Sequence, residues 1–372
     1  MQVEEKLYQV ALSQVRGVGY VLAQKLMARF GSAQAIFQSM PRELTQVPGV
    51  SQCIAQTIRS GDAYAQATEF LALHEKANIR ILTPWEEAYP ERLRHIDGTP
   101  TLLYLRGDVD LNAAKVLSIV GTRNATNYGK KVVETLLGEL SAHTLLIVSG
   151  LAYGVDIHAH KTALAVGLPT LAVVAGGVDT VYPSAHKRVA EEMLARGGLL
   201  AEHPLRTKLA AHQFAARNRI IAGMADATIV VEAGKRSGAL ITAQYANAYN
   251  REVFAVSGSI YEPYSVGCHH LIKTHQAHLL TSAADIAYAM HWDEERPISK
   301  SILDVLDRIS ELTEVERSVA QVIGKLQGEV HIDQLSHQTQ IPLNQLSAVL
   351  LQLELKKIVK FLPGRKFRLI AR

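Results

Sequence analysis

Short apolar runs alternate with longer amphipathic segments through the middle of the chain. Seven runs rich in Val, Leu, Ile and Ala have the length and composition of buried strands, at 117–120, 145–148, 170–174, 199–201, 228–231, 253–256 and 278–280. Helical patterns fill most of the gaps, and crossovers of that length connect parallel strands. The pattern predicts an α/β fold with an extended, Rossmann-like, doubly wound and mostly parallel sheet, with helices on both faces.

The two ends of the chain lack this alternation. The first part has apolar residues spaced three and four apart, which is typical of helices, and a proline-rich connector with a short strand at 102–105 follows it. The tail contains three helical patterns, at 313–326, 332–338 and 343–358, and then a hairpin about Pro363 and Gly364, as in a winged helix. We therefore predict a helical domain at 1–82, a sheet domain at 83–290, a linker at 291–310 and a winged helix at 311–372.

Two glycine turns in the helical domain resemble paired helix-hairpin-helix motifs in a SAM-like domain. The first turn contains Gly17 and Gly19, and the second contains Gly49 but has Ser51 in the place of the other glycine. Such glycines can bring backbone amides close to a nucleic-acid phosphate, or they can merely turn the chain between two packed helices. Because neither turn carries a dense basic cluster, we expect this domain to serve in packing or in binding a partner before it serves in contacting nucleic acid.

Composition narrows the class of protein. Of the 372 residues, 48% are hydrophobic, the formal net charge is +4, and there are two cysteines. This balance permits a nucleic-acid partner without requiring one. The cysteines are too few for a disulfide framework, and no apolar run is long enough to span a membrane. These features predict a soluble cytoplasmic protein that has no contact with a membrane.

The predicted strands end in turns that carry the polar and glycine residues of interest. The first turn covers residues 121–126, and the second begins at Ser149 and Gly150. Each turn opens a helix, so that backbone N–H groups and helix dipoles converge on one edge of the sheet. Ligands of open parallel sheets bind at this edge, and an anion such as phosphate is favoured there.

Several kinds of chemistry can be set aside. No stretch has the spacing of a phosphate-binding loop for ATP, no strand precedes GxGxxG, and no serine lies in GxSxG. His158 and His160 are two apart in a predicted helix and point away from each other, so we expect no metal site and no cofactor. Acids near the sheet edge, including Asp156 and Glu232, leave open a nucleotide-processing enzyme of the phosphoribohydrolase type.

Cations and an aromatic residue gather in the loops of this edge. Single-stranded nucleic acid is bound by cations that meet phosphates and by aromatic rings that stack on bases. The loops supply Phe214 together with the cations Arg123, Lys130, Lys161, Lys208, Arg217, Arg219, Lys235 and Arg236. Each has a structural alternative, such as an ion pair between Arg219 and Glu232. Their convergence on one edge favours a binding function.

The ordered motifs GTRNATNYG, SGLAYGVDIHAHKTAL, AGGVDTVYP, FAARNRIIAG, ATIVVEA and SGALITAQYA closely resemble the DNA-processing protein A (DprA/Smf) family. The resemblance implies a non-catalytic protein that binds single-stranded DNA and acts as a homodimer. It also implies a role in protecting incoming DNA and loading RecA recombinase during natural transformation and recombination. The helical front and the winged-helix tail are similar to accessory domains of that family.

The resemblance also implies roles for individual residues. Phosphates would be contacted by Arg123, Arg217, Asn218 and Arg219, with Lys161 and Lys208 as further cations, and Phe214 would stack on a base. Ser149, Gly150, Ser237 and Gly238 would offer hydroxyl or backbone donors. Departures from the family pattern at His186, Ala215, Ser257 and His269 concern loop shape. The last helix of the tail has cations only at its end, which favours partner docking, or a modest basic contact from Arg365, Lys366 and Arg368, over reading of a duplex.

Overall fold

The structure is a computed structural model that describes residues 2–292, 312–326, 330–356, 358–362 and 366–369. Contacts divide the chain into two compact units, Met1–Ile286 and Ala287–Arg372. The linker predicted at 291–310 lies almost wholly outside the described residues, and the domain boundaries stay a prediction. Within the described residues, no helix is both long and apolar enough to cross a membrane.

The first unit contains the N-terminal helices, the main sheet and the helices between the strands of that sheet. Its strands are β1 (Arg80–Leu82), β2 (Leu103–Gly107), β3 (Val116–Val120), β4 (Leu146–Ser149), β5 (Thr170–Val173), β6 (Gly197–Ala201), β7 (Ala227–Val230), β8 (Glu252–Val256) and β9 (His278–Leu280). Its helices are α1 (Gln2–Gln14), α2 (Tyr20–Phe30), α3 (Ala33–Gln38), α4 (Pro41–Leu44), α5 (Gln52–Ser60), α6 (Asp62–Lys76), α7 (Glu91–Arg94), α8 (Asn127–Leu140), α9 (Val155–Ala165), α10 (Lys187–Met193), α11 (Ala211–Met224), α12 (Gly238–Ala248) and α13 (Val266–Lys273). Helix α14 (Ala283–Ala289) begins in the first unit and runs across the boundary at Ile286.

The described residues form a sheet in the order β1-β2-β6-β5-β4-β3-β7-β8-β9. The strands from β6 to β9 in this order are parallel, whereas β2 pairs antiparallel with both β6 and β1. The prediction of a mostly parallel, Rossmann-like sheet is therefore confirmed. Strand β1 was not predicted, because a three-residue strand at the edge of a sheet is too short to show a period in the sequence.

Alternate residues of the central strands face two separate apolar clusters. In β5 and just after it, Leu171 and Val173 pack in one cluster, and Ala172 and Val174 pack in the other. The first cluster takes its helical side chains from α7, α11, α12 and α13. Because both faces are covered, the strands are apolar along their whole length, which is why they stand out in the sequence.

The N-terminal helices cover one face of the sheet at its antiparallel end. Their core residues, including Leu12 and Leu26, belong to the same buried cluster as Ile81 of β1, Tyr104 of β2 and Leu199 of β6. The helical region and the sheet consequently share one continuous core.

The two glycine turns of the N-terminal region pack against each other with reciprocal contacts. A Cβ placed on Gly17 would lie 3.2 Å from Cδ1 of Ile54, and a Cβ placed on Gly49 would lie 3.3 Å from Cδ1 of Leu22. The two glycines have φ values of +90° and +104°, in the region that favours glycine. Ser51 accepts a hydrogen bond from the Ile54 amide and so caps α5. We call this arrangement the hairpin pair.

The described part of the second unit has the helices and strands of a winged helix. They are α15 (Glu314–Lys325), β10 (Val330–His331), α16 (Ile332–Thr339), α17 (Leu343–Leu355), β11 (Val359–Leu362) and β12 (Lys366–Leu369). The three helices match the predicted patterns, and β11 pairs antiparallel with β12 as expected. The predicted turn at Pro363 and Gly364 lies outside the described residues. Strand β10, which pairs with β12, was not predicted.

Candidate nucleic-acid interface

A cleft of about 510 Å³ opens at the carboxyl ends of the central strands. Its walls come from the turns after β3, β4, β7 and β8 and from residues of α9, α11 and α12. Six of the residues predicted to bind DNA line it, namely Arg123, Phe214, Arg217, Asn218, Ser237 and Gly238. The structure therefore brings together residues that are more than a hundred positions apart in the sequence.

The turn after β3 presents Arg123 to solvent at the mouth of this cleft. The turn is held from below, because the amide of Thr122 donates to the carbonyl of Glu232 at 2.7 Å and the carbonyl of Thr122 accepts from the Val155 amide at 3.1 Å. A Cβ on Gly154 would lie 2.2 Å from that same Thr122 carbonyl oxygen. Only glycine lets the two turns approach so closely, so Gly154 allows the exposed arginine to sit on a rigid support.

Arg217 lines the cleft but is largely buried, with 7% of its surface exposed. Its Nη1 donates to the carbonyl oxygen of Gly150 at 2.7 Å and to that of Val173. The guanidinium thus ties α11 to the ends of β4 and β5. Burial lowers the pKa of Arg217 to about 10, and the Asp156 carboxyl opposes that shift. The side chain stays charged at neutral pH, so it supplies positive potential to the cleft while it holds the cleft together.

Asn218 links this arginine to the next helix. Its Oδ1 accepts from Nε of Arg217 at 3.2 Å, and its Nδ2 donates to the carbonyl of Gly238 at 3.3 Å. Gly238 is the first residue of α12, and a Cβ there would meet no atom within 4 Å. Ser237 caps the helix by accepting from the Ala239 amide at 3.3 Å. The beginning of α12 is therefore fixed in position and open to a ligand.

The electrostatics of the cleft favour an anion. Its lining includes the cations Arg123, Arg217 and Arg236, and one carboxyl group, Asp156. The amino ends of α11 and α12 also meet it, and each helix contributes a partial positive charge there. A chain of phosphates fits this balance of charge better than a neutral ligand does.

Phe214 lies in the first turn of α11 and lines the cleft with part of its surface exposed. Its ring contacts the ring of Tyr182 edge to face, with centroids 5.5 Å apart and an interplanar angle of 64°. A partly exposed ring beside guanidinium groups is the combination that stacks on an unpaired base.

Two predicted donors point into the protein, which corrects the sequence-based expectation. Ser149 is fully buried, and its hydroxyl donates to the carbonyl of Ile119 on the neighbouring strand at 2.6 Å. The amide of Gly150 donates to Oδ2 of Asp156 at 3.2 Å. Since each donor already has a partner inside the protein, neither is free for a ligand in this structure.

Arg219 also departs from expectation. Residues 217 and 219 are about 200° apart around the helix, so only one of the two side chains can face the cleft. Arg219 pairs with Glu202, not with Glu232, and its side chain lies against Gly98. Arg219 therefore braces the far side of α11.

Lys161 and Lys208 are exposed but do not line the cleft. Lys161 lies on α9. Lys208 lies in the loop between β6 and α11, which packs on the turn after β5: the Arg206 amide donates to Oδ2 of Asp179 at 3.0 Å. The structure thus places Lys208 beside the turn after β5, outside the pocket.

The two acids that an enzyme would need are engaged by the protein. Glu232 accepts from both the amide and the hydroxyl of Thr126, at 3.0 and 2.6 Å. Asp156 accepts from the amides of Gly150 and Ala152, and burial raises its pKa although Arg217 opposes the shift. Among the described residues, no group of three His, Cys, Asp or Glu side chains could hold a metal ion.

Two further residues line the cleft besides the predicted DNA contacts. Arg236, which the sequence analysis counted only among the loop cations, directly precedes Ser237 and lines the cleft. Tyr264 also lines the cleft, and its hydroxyl accepts from Nδ2 of Asn124 at 3.2 Å. Nothing in the local sequence marks Tyr264, because it lies in the loop after β8 and only the fold brings that loop to the cleft.

Comparison with known proteins agrees with this architecture. The family model described as DNA recombination-mediator protein A matches residues 80–291. The chain belongs to this family. A model described as DprA winged helix domain matches residues 307–365, and one described as helix-hairpin-helix motif matches residues 9–61. The recognition of the DprA/Smf family from the sequence is confirmed, as are the two accessory domains.

Individual relatives of the recombination-mediator family cover most of the chain. Protein Smf of Synechocystis sp. is 33% identical over 98% of both chains. The crystal structure of DNA processing protein A from Streptococcus pneumoniae is 32% identical, with a TM-score of 0.64, and covers 76% of this chain and 96% of that one. The protein from Helicobacter pylori, 29% identical with a TM-score of 0.53, covers 58% of this chain and 96% of that one; its structure reports on a single-stranded DNA binding mode.

Proposed function

We propose that the protein binds single-stranded DNA in the cleft at the carboxyl edge of its sheet. The proposal rests on one observation. A single open pocket at the ends of two helices is lined by Arg123, Arg217, Arg236 and Phe214. The cations neutralise phosphates, and the ring stacks on a base without regard to sequence. The reported binding mode of the Helicobacter pylori relative supports the same ligand.

Membership of the recombination-mediator family supports a wider role as part of this proposal. The protein protects incoming single strands in the cytoplasm and helps RecA recombinase to assemble on them, during natural transformation and recombination, and it acts as a homodimer. A mediator of this kind must hold a strand without cutting it. Support comes from Asp156 in the cleft and from Glu232 beside it, which are both hydrogen-bonded to the protein's own backbone.

A titration of labelled oligothymidylate, compared with duplex of the same length, tests the binding proposal. We expect preference for the single strand and a loss of affinity with salt, because bound phosphates release counterions. Three arginines at the phosphates correspond to a slope of log affinity on log salt of about −2 for single strands. Equal affinity for duplex, or no binding at low salt, would contradict the proposal.

Two further measurements test the finer claims. The rate at which RecA assembles on single strands coated with a single-strand binding protein should rise in the presence of the protein, and sedimentation should give twice the mass of one chain.

Incubation with nucleoside monophosphates tests the enzymatic alternative. Release of free base that disappears in Asp156→Asn would favour a phosphoribohydrolase over a mediator.

A further inference from the structure

An aromatic residue outside the cleft continues the surface that Phe214 begins. Tyr182 lies in the loop after β5, and 55% of its surface is exposed. Its ring meets that of Phe214 edge to face at 5.5 Å. In such a pair the ring that presents its edge keeps both faces clear of its partner, and the other ring keeps one. Neither ring therefore covers both faces of the other, and the pair extends from Phe214 in the cleft to the exposed Tyr182 beyond it.

The chain around Tyr182 is held in place by the loop that carries Lys208. The amide of Arg206 donates to Oδ2 of Asp179, three residues before Tyr182. Within the same loop, a Cβ on Gly176 would lie 2.9 Å from Cδ2 of Leu209. These contacts join residues 206–209 to residues 176–179. Lys208, which is exposed in this loop, therefore lies on the same side of the molecule as Tyr182.

Among the residues expected to contact DNA, two groups lie next to the pair of rings. One group surrounds the cleft, with Arg123 and Arg217, and the other lies next to the turn after β5, with Lys208. Phe214 connects them, because its ring lines the cleft and also touches Tyr182. A cleft of about 510 Å³ has room for only a short piece of a polynucleotide, so a longer strand must leave it over one of its rims.

We infer that Tyr182 is a second base-stacking residue, at which a single strand leaves the cleft past Phe214 and passes Lys208. The inference rests on the proposed function, since it concerns the same ligand. It assigns the ring to a base and the lysine to a phosphate of the same stretch. Tyr182 therefore affects long strands more than strands that fill the cleft alone.

The test is a fluorescence-anisotropy titration of the full-length protein with labelled oligothymidylates of about 4 to about 12 nucleotides, the range of a single-strand site. The variants are Tyr182→Leu, Tyr182→Phe and, as a matched control, Tyr128→Leu. Tyr128 is 51% exposed and lines a different cavity, between α8 and the ends of β8 and β9.

We expect Tyr182→Leu to weaken binding of the longest oligonucleotide about tenfold, the scale of one lost base stack. The shortest oligonucleotide should bind as before, and Tyr182→Phe should keep the wild-type affinity because it keeps the ring. The salt dependence should not change, since no phosphate contact is removed. An abasic sugar-phosphate chain of the same length should bind equally to wild type and Tyr182→Leu.

A second readout reports the stack directly. In Tyr182→Trp, indole fluorescence should fall when the long oligonucleotide binds and should not fall with the abasic chain. The natural tryptophans, of which the chain has two, give the background in wild-type protein.

Three outcomes would overturn the inference while leaving the proposed function intact. They are wild-type affinity of Tyr182→Leu at every length, equal losses in Tyr182→Leu and Tyr128→Leu, and equal losses with and without bases. Failure of the wild-type protein to bind any oligothymidylate would instead overturn the proposed function, and this inference with it.

Discussion

The cleft and the hairpin pair are built from the same local device, a glycine turn that leads into a helix, yet their surroundings differ. In the hairpin pair, Gly17 and Gly49 face aliphatic carbons of the opposite turn. In the cleft, a Cβ on Gly150 would lie 2.6 Å from Nη2 of Arg217 and 2.7 Å from Oδ2 of Asp156. One set of glycines permits apolar packing, and the other permits the close approach of buried charges.

A second pocket, of about 430 Å³, makes the contrast sharper. It lies between the hairpin pair and the loop before β2, and its charged lining consists of Lys25 and Asp97. The cleft has three arginines against one carboxyl group. A glycine turn at a helix end is thus not enough to make a phosphate site; the charges that the fold brings to it decide.

Replacing one glycine by alanine in each region should give the largest difference in stability between the cleft and the hairpin pair. Gly150→Ala forces the new Cβ against two buried charged groups, and we expect a loss of about 3 kcal/mol in the free energy of unfolding together with loss of DNA binding. Urea unfolding and oligonucleotide titration measure the two effects. A stable variant with wild-type binding would show that Arg217 and Asp156 can move apart without harm.

A buried histidine beneath the cleft, His160, should make the stability of the protein depend on pH. His160 is fully buried, and its Nδ1 lies 2.7 Å from the hydroxyl of Thr170. Because that hydroxyl donates to the Ile147 carbonyl, Nδ1 carries the proton and Nε2 is left buried without a partner among the described residues. Burial, followed by the charge of Arg217, lowers the pKa of His160 to about 3.

A lowered pKa means that the unfolded chain binds a proton near pH 6.5 while the folded protein does not. Stability is therefore complete above that pH and falls as the pH drops toward the folded pKa. Between pH 7 and pH 5 we expect a loss of about 2 kcal/mol from this residue. Urea unfolding at both pH values measures it, and His160→Gln should remove most of the slope. An unchanged slope in the variant would assign the effect to other groups.

The matched substitution in the hairpin pair should cost less. In Gly17→Ala the new Cβ meets Cδ1 of Ile54 at 3.2 Å and Cγ1 at 3.6 Å, both on one side chain, so the main penalty is the φ of +90°, about 1 kcal/mol for a residue that carries a side chain. DNA binding should be unchanged. Reduced affinity for oligothymidylate in this variant would mean that the hairpin pair itself contacts DNA.

Substitution of one exposed cation in each region should have the smallest effect on folding, but it should distinguish the two regions clearly by their effect on DNA binding. Arg123 and Lys25 are both exposed cations beside glycine turns. Arg123→Ala should weaken binding about fivefold to tenfold and reduce the salt slope by about 0.7, the value for one phosphate of a single strand. Lys25→Ala should change neither quantity, and thermal unfolding of both variants should match wild type. Equal effects on binding would remove the distinction between the two turns.

The tail offers a narrower comparison between expectation and structure. The sequence favours partner docking over duplex reading by the last helix, and α17 ends at Leu355, before the first cation of that segment. Lys356, just after the helix, donates to both carboxylate oxygens of Glu316 at 2.8 Å. Lys357 and Arg365 lie outside the described residues. Partner docking by the tail stays a prediction.

The sequence by itself determined the positions of the central strands along the chain and their mostly parallel arrangement, because strands buried on both faces are continuously apolar and their turns are marked by glycine. It also indicated which turns meet at one edge of the sheet, since parallel strands end on the same side. That reasoning selected Arg123, Phe214, Asn218 and Gly238, which line one cleft in the structure.

Only the tertiary structure decided which way the polar groups point. Ser149 and Arg219 have the right chemistry and adjoin the right turns, yet one donates to a neighbouring strand and the other pairs with Glu202. The same holds for Tyr182 and Tyr264, which reach the rim from loops that no local pattern connects to it. A hydrogen bond or an ion pair depends on a few ångströms between residues far apart in the chain, and a pattern of residue types does not specify such distances.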